Sequence, residues 1–286
     1  MQRETKFLQL TDGRKLAFAE YGDPEGEPAI YCHGFPGSHL EAELFDEAAR
    51  QCRVRVIAAD RNGLGQSDPK AHRELIDWST DMAALADHLN IERFHLIGVS
   101  GGGPYAIACA HQLSDRIEGL TLVCPLGQLD HPDLLKTMQW PAQLNFRSIR
   151  MTPWLSHLSY RFAIIPVAQI WPQWIYQMML TVVPETDKKV LKKPKVRSVI
   201  TDSLREAIRQ GAAGVLDEMA LYTRPWNLDL SKIDLPVQLW HGTADTTVPL
   251  IHGRSLAEQL PNCETNYVEG EGHFSLPFER MDEILG

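Results

Sequence analysis

Short apolar runs alternating with helix-like stretches limit this chain to very few folds. The runs cover residues 29–32, 54–59, 94–99, 120–124, 237–240 and 265–268, and each stops at a polar, glycine or proline residue. Helix-like stretches near 38–50, 77–90, 101–113 and 250–260 lie between them. Strands alternating with helices at this spacing build βαβ units and a parallel sheet. A parallel sheet is covered on both faces, so its strands read as continuous apolar runs rather than as alternating ones. In front, residues 6–10 and 15–21 flank Thr11-Asp12-Gly13-Arg14, and Asp-Gly is a strong hairpin signal. After Cys124 the pattern lapses for about a hundred residues, reads as helices with proline breaks, and resumes near Leu235. The expected architecture is therefore α/β: a mostly parallel central sheet with helices on both faces. The sheet domain would comprise 1–125 and 230–286, and 126–229 would form a helical cap inserted after the sixth strand.

Charge follows the same division. The net charge is −9, which disfavours a nucleic-acid backbone as partner. Residues 125–230 nevertheless hold 13 Lys/Arg against 9 Asp/Glu, so the remainder is the more acidic part. The uncharged stretch 162–184 has the length of a membrane span, but it contains Pro166, Pro172 and three glutamines. A buried or cap helix is expected there rather than a stable span. The lysine cluster after it, with the apolar run before it, makes the cap a candidate for weak surface association. The five cysteines form no CxxC pair and are expected to be reduced. Residues 1–15 carry charge throughout with no apolar core, so no secretory signal is expected and the compartment reads as cytoplasmic.

The chemistry starts at Gly98-Val99-Ser100-Gly101-Gly102. This G-x-S-x-G follows an apolar run and precedes a helical pattern, the strand–turn–helix context the motif requires. A serine hydroxyl is a weak nucleophile until a base takes its proton, and the base needs an acid to orient it. His273 lies in Gly270-Glu271-Gly272-His273, directly after the last run. Asp245 lies in His241-Gly242-Thr243-Ala244-Asp245, directly after the run 237–240. Both thus sit at carboxyl ends of strands, where parallel sheets build sites. Asp130 and Asp217 compete for the acid role on position alone, but Asp245 has the better context. The remaining histidines show no metal-ligand spacing, and no phosphate or dinucleotide loop is present, so neither metal nor cofactor is expected.

Together these motifs resemble the α/β-hydrolase superfamily, in its serine-nucleophile branch with a helical cap. His33-Gly34-Phe35-Pro36-Gly37 resembles the family's oxyanion loop, and Asp60-Arg61-Asn62-Gly63-Leu64-Gly65-Gln66-Ser67-Asp68 its loop after the next strand. The resemblance implies an oxyanion hole from the backbone N–H groups of Phe35 and Gly101. It implies an esterase-like serine hydrolase that takes a small-molecule ester or acyl substrate with an apolar portion. Carbon–carbon bond hydrolysis or peptide cleavage on the same triad stays open, as does a ligand-binding receptor on the same fold. The insertion holds five of the seven tryptophans, and Trp171 and Trp174 are expected to line the substrate pocket.

Overall fold

The computed structural model describes residues 4–286; residues 1–3, the start of the charged N-terminal stretch read above for a signal, lie outside the described residues. The strands are β1 (Lys6–Gln9), β2 (Lys15–Gly22), β3 (Glu27–Cys32), β4 (Val54–Ala59), β5 (Phe94–Val99), β6 (Ile117–Val123), β7 (Val237–Gly242) and β8 (Cys263–Val268). They form one sheet in the order β1-β2-β4-β3-β5-β6-β7-β8. β1 and β2 make the antiparallel hairpin, with Gln9 opposite Lys15, and β2 runs antiparallel to β4. All further pairs are parallel.

The order explains where a site can form. The chain steps from β3 to β4 in one direction and from β5 through β8 in the other. The loops leaving the adjacent strands β3 and β5 therefore diverge, and a crevice opens between them. Alternation along the strands sorts the core into two layers. Ile30, Ile57 and Leu96 pack with Trp78, Met82 and Tyr105 on one face, while Tyr31, Val56 and Ile97 pack with Phe45 and Ile284 on the other.

Between β6 and β7 runs a series of helices, from Pro132–Thr137 to Ala212–Tyr222. The uncharged stretch 162–184 is not one helix. It breaks into Ile165–Ile170 and Pro172–Val182 at Trp171, whose φ of −127° and ψ of 60° leave the helical region. Pro172 opens the second helix, a position where its missing N–H costs nothing. Among the described residues no helix is long and apolar enough to cross a membrane. All five cysteines are free thiols.

A buried ion network ties the insertion to the sheet. Glu218, on the helix Ala212–Tyr222, accepts from Arg61 at 3.0 Å and Arg73 at 2.9 Å. The hydroxyls of Tyr105 and Tyr222 donate to the same carboxylate at 2.7 and 2.8 Å. Burial opposes the charge, but the two guanidiniums and the hydroxyls bring the Glu218 carboxyl down to about 2. Every lone pair is used, the condition under which a buried charge is tolerated.

Candidate active site

Ser100 directly follows β5 and sits at φ +54°, a left-handed backbone rarely taken by a non-glycine residue. The flanking glycines make the turn possible by close approach. A Cβ at Gly102 would fall 2.0 Å from the Cys32 carbonyl oxygen, and one at Gly98 would fall 2.7 Å from the Ala106 Cβ. The helix Gly103–Gln112 then follows at once and is buried along nearly its whole length.

His273 and Asp245 are brought to this serine from β8 and β7. The Ser100 Oγ lies 2.9 Å from His273 Nε2, and His273 Nδ1 lies 2.7 Å from Asp245 Oδ2. The other Asp245 oxygen accepts the backbone N–H groups of Thr247 and Val248, both at 2.8 Å. With the carboxylate on Nδ1–H, the Nε2 lone pair faces the hydroxyl, which is the tautomer a general base needs. Burial works against charge on both groups. The facing His273 nevertheless holds the Asp245 carboxyl far below its ordinary range, and Asp245 raises His273 above the ordinary imidazole value. Asp130 and Asp217 make no hydrogen bond to His273; Asp245 fills that position.

The two backbone amides expected to form the oxyanion hole have their peptide planes pinned from behind. A trans peptide aims its N–H opposite its C=O. The Gly34 carbonyl, in one plane with the Phe35 N–H, accepts from Arg61 Nη2 at 3.0 Å and from His33 Nδ1 at 2.9 Å. The Ser100 carbonyl, in one plane with the Gly101 N–H, accepts from the Leu126 N–H at 3.0 Å. His33 is thus spent on holding the loop, and burial lowers it to about 3. The Tyr222 hydroxyl oxygen also lies 2.9 Å from the Gly101 carbonyl oxygen, so its single proton is shared between that carbonyl and Glu218.

Sequence reasoning missed two carboxylates. Asp187, on the short helix Glu185–Leu191 of the insertion, accepts the consecutive N–H groups of His273, Phe274 and Ser275 at 3.0, 3.0 and 2.8 Å. One oxygen pair thereby fixes the backbone that carries the base, from 86 residues away. Nothing around Asp187 in its lysine-rich stretch signals this. Glu41 accepts from the Tyr31 hydroxyl at 2.5 Å and the Gly34 N–H at 3.1 Å, and burial raises its carboxyl.

Ser100 opens on two lobes of one cavity. The smaller, about 170 Å³, is bounded by His273, Glu41, Phe274 and Phe278. The larger, about 290 Å³, is almost wholly apolar and bounded by Met138, Phe146, Tyr160, Ile164 and Ala168. Phe35, Ile175 and Leu204 border both. Trp171 and Trp174, expected to line this pocket, do not. They are 63% and 52% exposed and border a separate surface groove without Ser100. The helix Pro172–Val182 presents Ile175 and Met179 inward, and the tryptophans fall on its outer side.

Among the described residues, Cys124, His241 and Asp245 bring three donor types within 4.8 Å of one another. An ion there would compete with His273 for Asp245, while burial holds the Cys124 thiol well above its ordinary value and so protonated. His241 donates to the Val248 carbonyl at 2.8 Å.

A strained serine at a strand–helix turn, with a histidine and an aspartate hydrogen-bonded in line behind it from the loops after later strands of one eight-stranded sheet, defines the class. The chain belongs to the alpha/beta hydrolase fold family, whose sequence profile matches residues 28–279. It is 26% identical over 273 residues to the proline iminopeptidase of Lactobacillus helveticus, which covers 91% of this chain and 88% of that protein. A bromoperoxidase from Bacillus anthracis superposes with a TM-score of 0.73 at 21% identity, covering 98% and 97% of the two chains. A thermophilic esterase from Thermogutta terrifontis gives 0.67 at 23% identity, covering 100% and 96%. Likeness at that distance speaks for the fold alone.

Proposed function

We propose that this hydrolase cleaves a carboxylic ester with an apolar acyl or alcohol portion, through an acyl-enzyme on Ser100. The observation that carries the reading is the hydrogen-bonded chain Ser100–His273–Asp245 opening on an apolar cavity. His273 takes the Ser100 proton as the oxygen attacks the carbonyl, and Asp245 stabilises the imidazolium. The developing oxyanion is received by the Phe35 and Gly101 N–H groups, whose orientation is set before substrate arrives. His273 then returns its proton to the leaving alkoxide, and later activates the water that frees Ser100. The helical insertion acts as the lid, supplying Ile164, Ala168 and Ile175 to grip the apolar group.

The test is hydrolysis of p-nitrophenyl acetate, butyrate and hexanoate. Wild type should turn over all three, and Ser100→Ala should lose on the order of 10⁴-fold or more in kcat. Activity that survives Ser100→Ala removes the assignment. Stoichiometric labelling of Ser100 by a fluorophosphonate separates an enzyme from a receptor that merely kept the fold.

The similarity to proline iminopeptidases favours a second reading, release of an amino-terminal residue. Binding a free α-ammonium calls for an ionised carboxylate near Ser100. Glu41 borders the small lobe, but Tyr31 and Gly34 already occupy its oxygens, and burial pushes it toward the neutral acid. A neutral ester suits that lining better. Turnover of proline p-nitroanilide faster than of p-nitrophenyl butyrate would reverse the ranking.

A further inference from the structure

The outward side of the helical insertion is apolar and cationic at once. Among the described residues, every large apolar side chain left exposed, apart from Phe7 and Ile251, lies within 140–182. Trp140 is 74% and Met151 79% exposed. These side chains recur at helical spacing: Trp140, Leu144 and Met151 along the helix Trp140–Met151, then Trp174, Met178 and Val182 along Pro172–Val182. An amphipathic helix in a globular protein turns such a stripe to the core; here the inner sides already pack, and a second stripe faces out.

Charge says what suits that face. Between Asp133 and Glu185 the sequence has no acidic residue, but it has Lys136, Arg147, Arg150 and Arg161, all exposed. The Arg161 guanidinium lies 5.5 Å from the Phe162 ring centre, pairing cation and aromatic at the surface. Beside them runs a groove of about 720 Å³ bordered by Val167, Ile170, Trp171 and Trp174, with Arg205 as its one charged lining residue.

We propose that this face docks on an anionic phospholipid bilayer, with its aromatic and methionine side chains in the interfacial layer and its cations among the headgroups. Tryptophan beside arginine on an exposed helical face is the composition that favours the membrane–water boundary. A second copy docking through the same face would set like charges against each other, whereas an anionic surface complements them. The remaining, more acidic body is repelled by such a surface and turns away, which gives the docked molecule one orientation. Docking of this kind does not depend on the reaction at Ser100.

Sedimentation of the full chain with large unilamellar vesicles tests the proposal. Vesicles of phosphatidylcholine with an equal part of phosphatidylglycerol should carry the protein down at low salt, and pure phosphatidylcholine at least about tenfold less. Raising the salt to about 0.5 M should release most of it, since the Debye length then falls well below its low-salt value. Arg147→Glu with Arg150→Glu should weaken binding by about tenfold or more, and Met151→Glu with Trp154→Glu should abolish it. Hydrolysis of p-nitrophenyl acetate by these variants should stay within about twofold of wild type, which shows they are folded. Equal sedimentation with both vesicle types, or with neither, overturns the proposal. So does a wild-type dimer that the same substitutions split while vesicle binding is absent; that outcome assigns the face to a second copy.

Discussion

In the proposed mechanism, Arg61 acts on the reaction without touching a substrate. It is fully buried, bridges Glu218 to the loop after β3, and holds the carbonyls of His33 and Gly34. Because the Gly34 carbonyl shares a plane with the Phe35 N–H, losing Arg61 frees a proposed oxyanion donor to rotate. Arg61→Met should therefore lower kcat on p-nitrophenyl butyrate by about 10- to 100-fold with little change in KM, given what one oxyanion donor is worth. A fall in KM affinity with kcat intact would assign it to binding instead. The motif around Asp60-Arg61 was visible in the sequence as a loop resemblance. Its partner Glu218 was not, because no local pattern announces a pairing across 157 residues.

In the proposed mechanism His273 sets the pH dependence. Its pKa is raised: burial lowers it, but Asp245, with Asp187 behind it, raises it more. The base works only when deprotonated, so kcat/KM should fall as pH drops through a midpoint above about 6.5, the ordinary imidazole value. Asp187→Asn removes one of the raising charges and should move that midpoint down; the profile of kcat/KM between about pH 5 and 9 reads it. An unmoved midpoint with only a lower Tm would make Asp187 purely structural.

At the scale of elements, the helices around Trp171 show where a sequence stops being legible. The stretch 162–184 is uncharged throughout, so no charged face marked its outer side, and its phase toward the cavity was not read from the sequence. The break at Trp171 then fixed that phase and turned the two tryptophans outward. Trp171→Ala and Trp174→Ala should accordingly leave the ratio of hexanoate to acetate kcat/KM unchanged. Ile175→Trp, which intrudes where the two lobes meet, should cut that ratio by at least about tenfold through KM. Strand ends behaved differently. Ser100, Asp245 and His273 each follow an apolar run with glycine close by in the turn, and period and punctuation sufficed to place all three at one edge of the sheet.

For the molecule as a whole, the sheet was readable because parallel strands write continuous apolar runs, whereas the joints between insertion and sheet depend on single buried charges. Glu218 is the main one. Its folded pKa, about 2, lies below the ordinary 4.5, so its contribution to stability is complete above about pH 4.5 and is lost as pH falls toward 2. Glu218→Gln leaves Arg61 and Arg73 buried without a counter-charge and should cost about 3–5 kcal/mol at neutral pH. The difference in Tm between the variant and wild type should narrow as the pH is lowered from about 5 to 2.5, as calorimetry can follow.

Asp187 has a consequence for anyone who treats the insertion as an interchangeable part. Its carboxylate is the seat of the His273 backbone, so in the proposed mechanism the insertion carries part of the catalytic arrangement as well as the specificity. A chimera whose grafted helices between β6 and β7 lack an acidic residue at this position would inherit a new pocket but leave three amides of the histidine loop without their acceptor. Such a graft should express as a folded but slow hydrolase, and restoring one aspartate at the matching position should recover most of the lost kcat. On the proposed mechanism, a transplanted specificity must bring an acceptor at that one position with it.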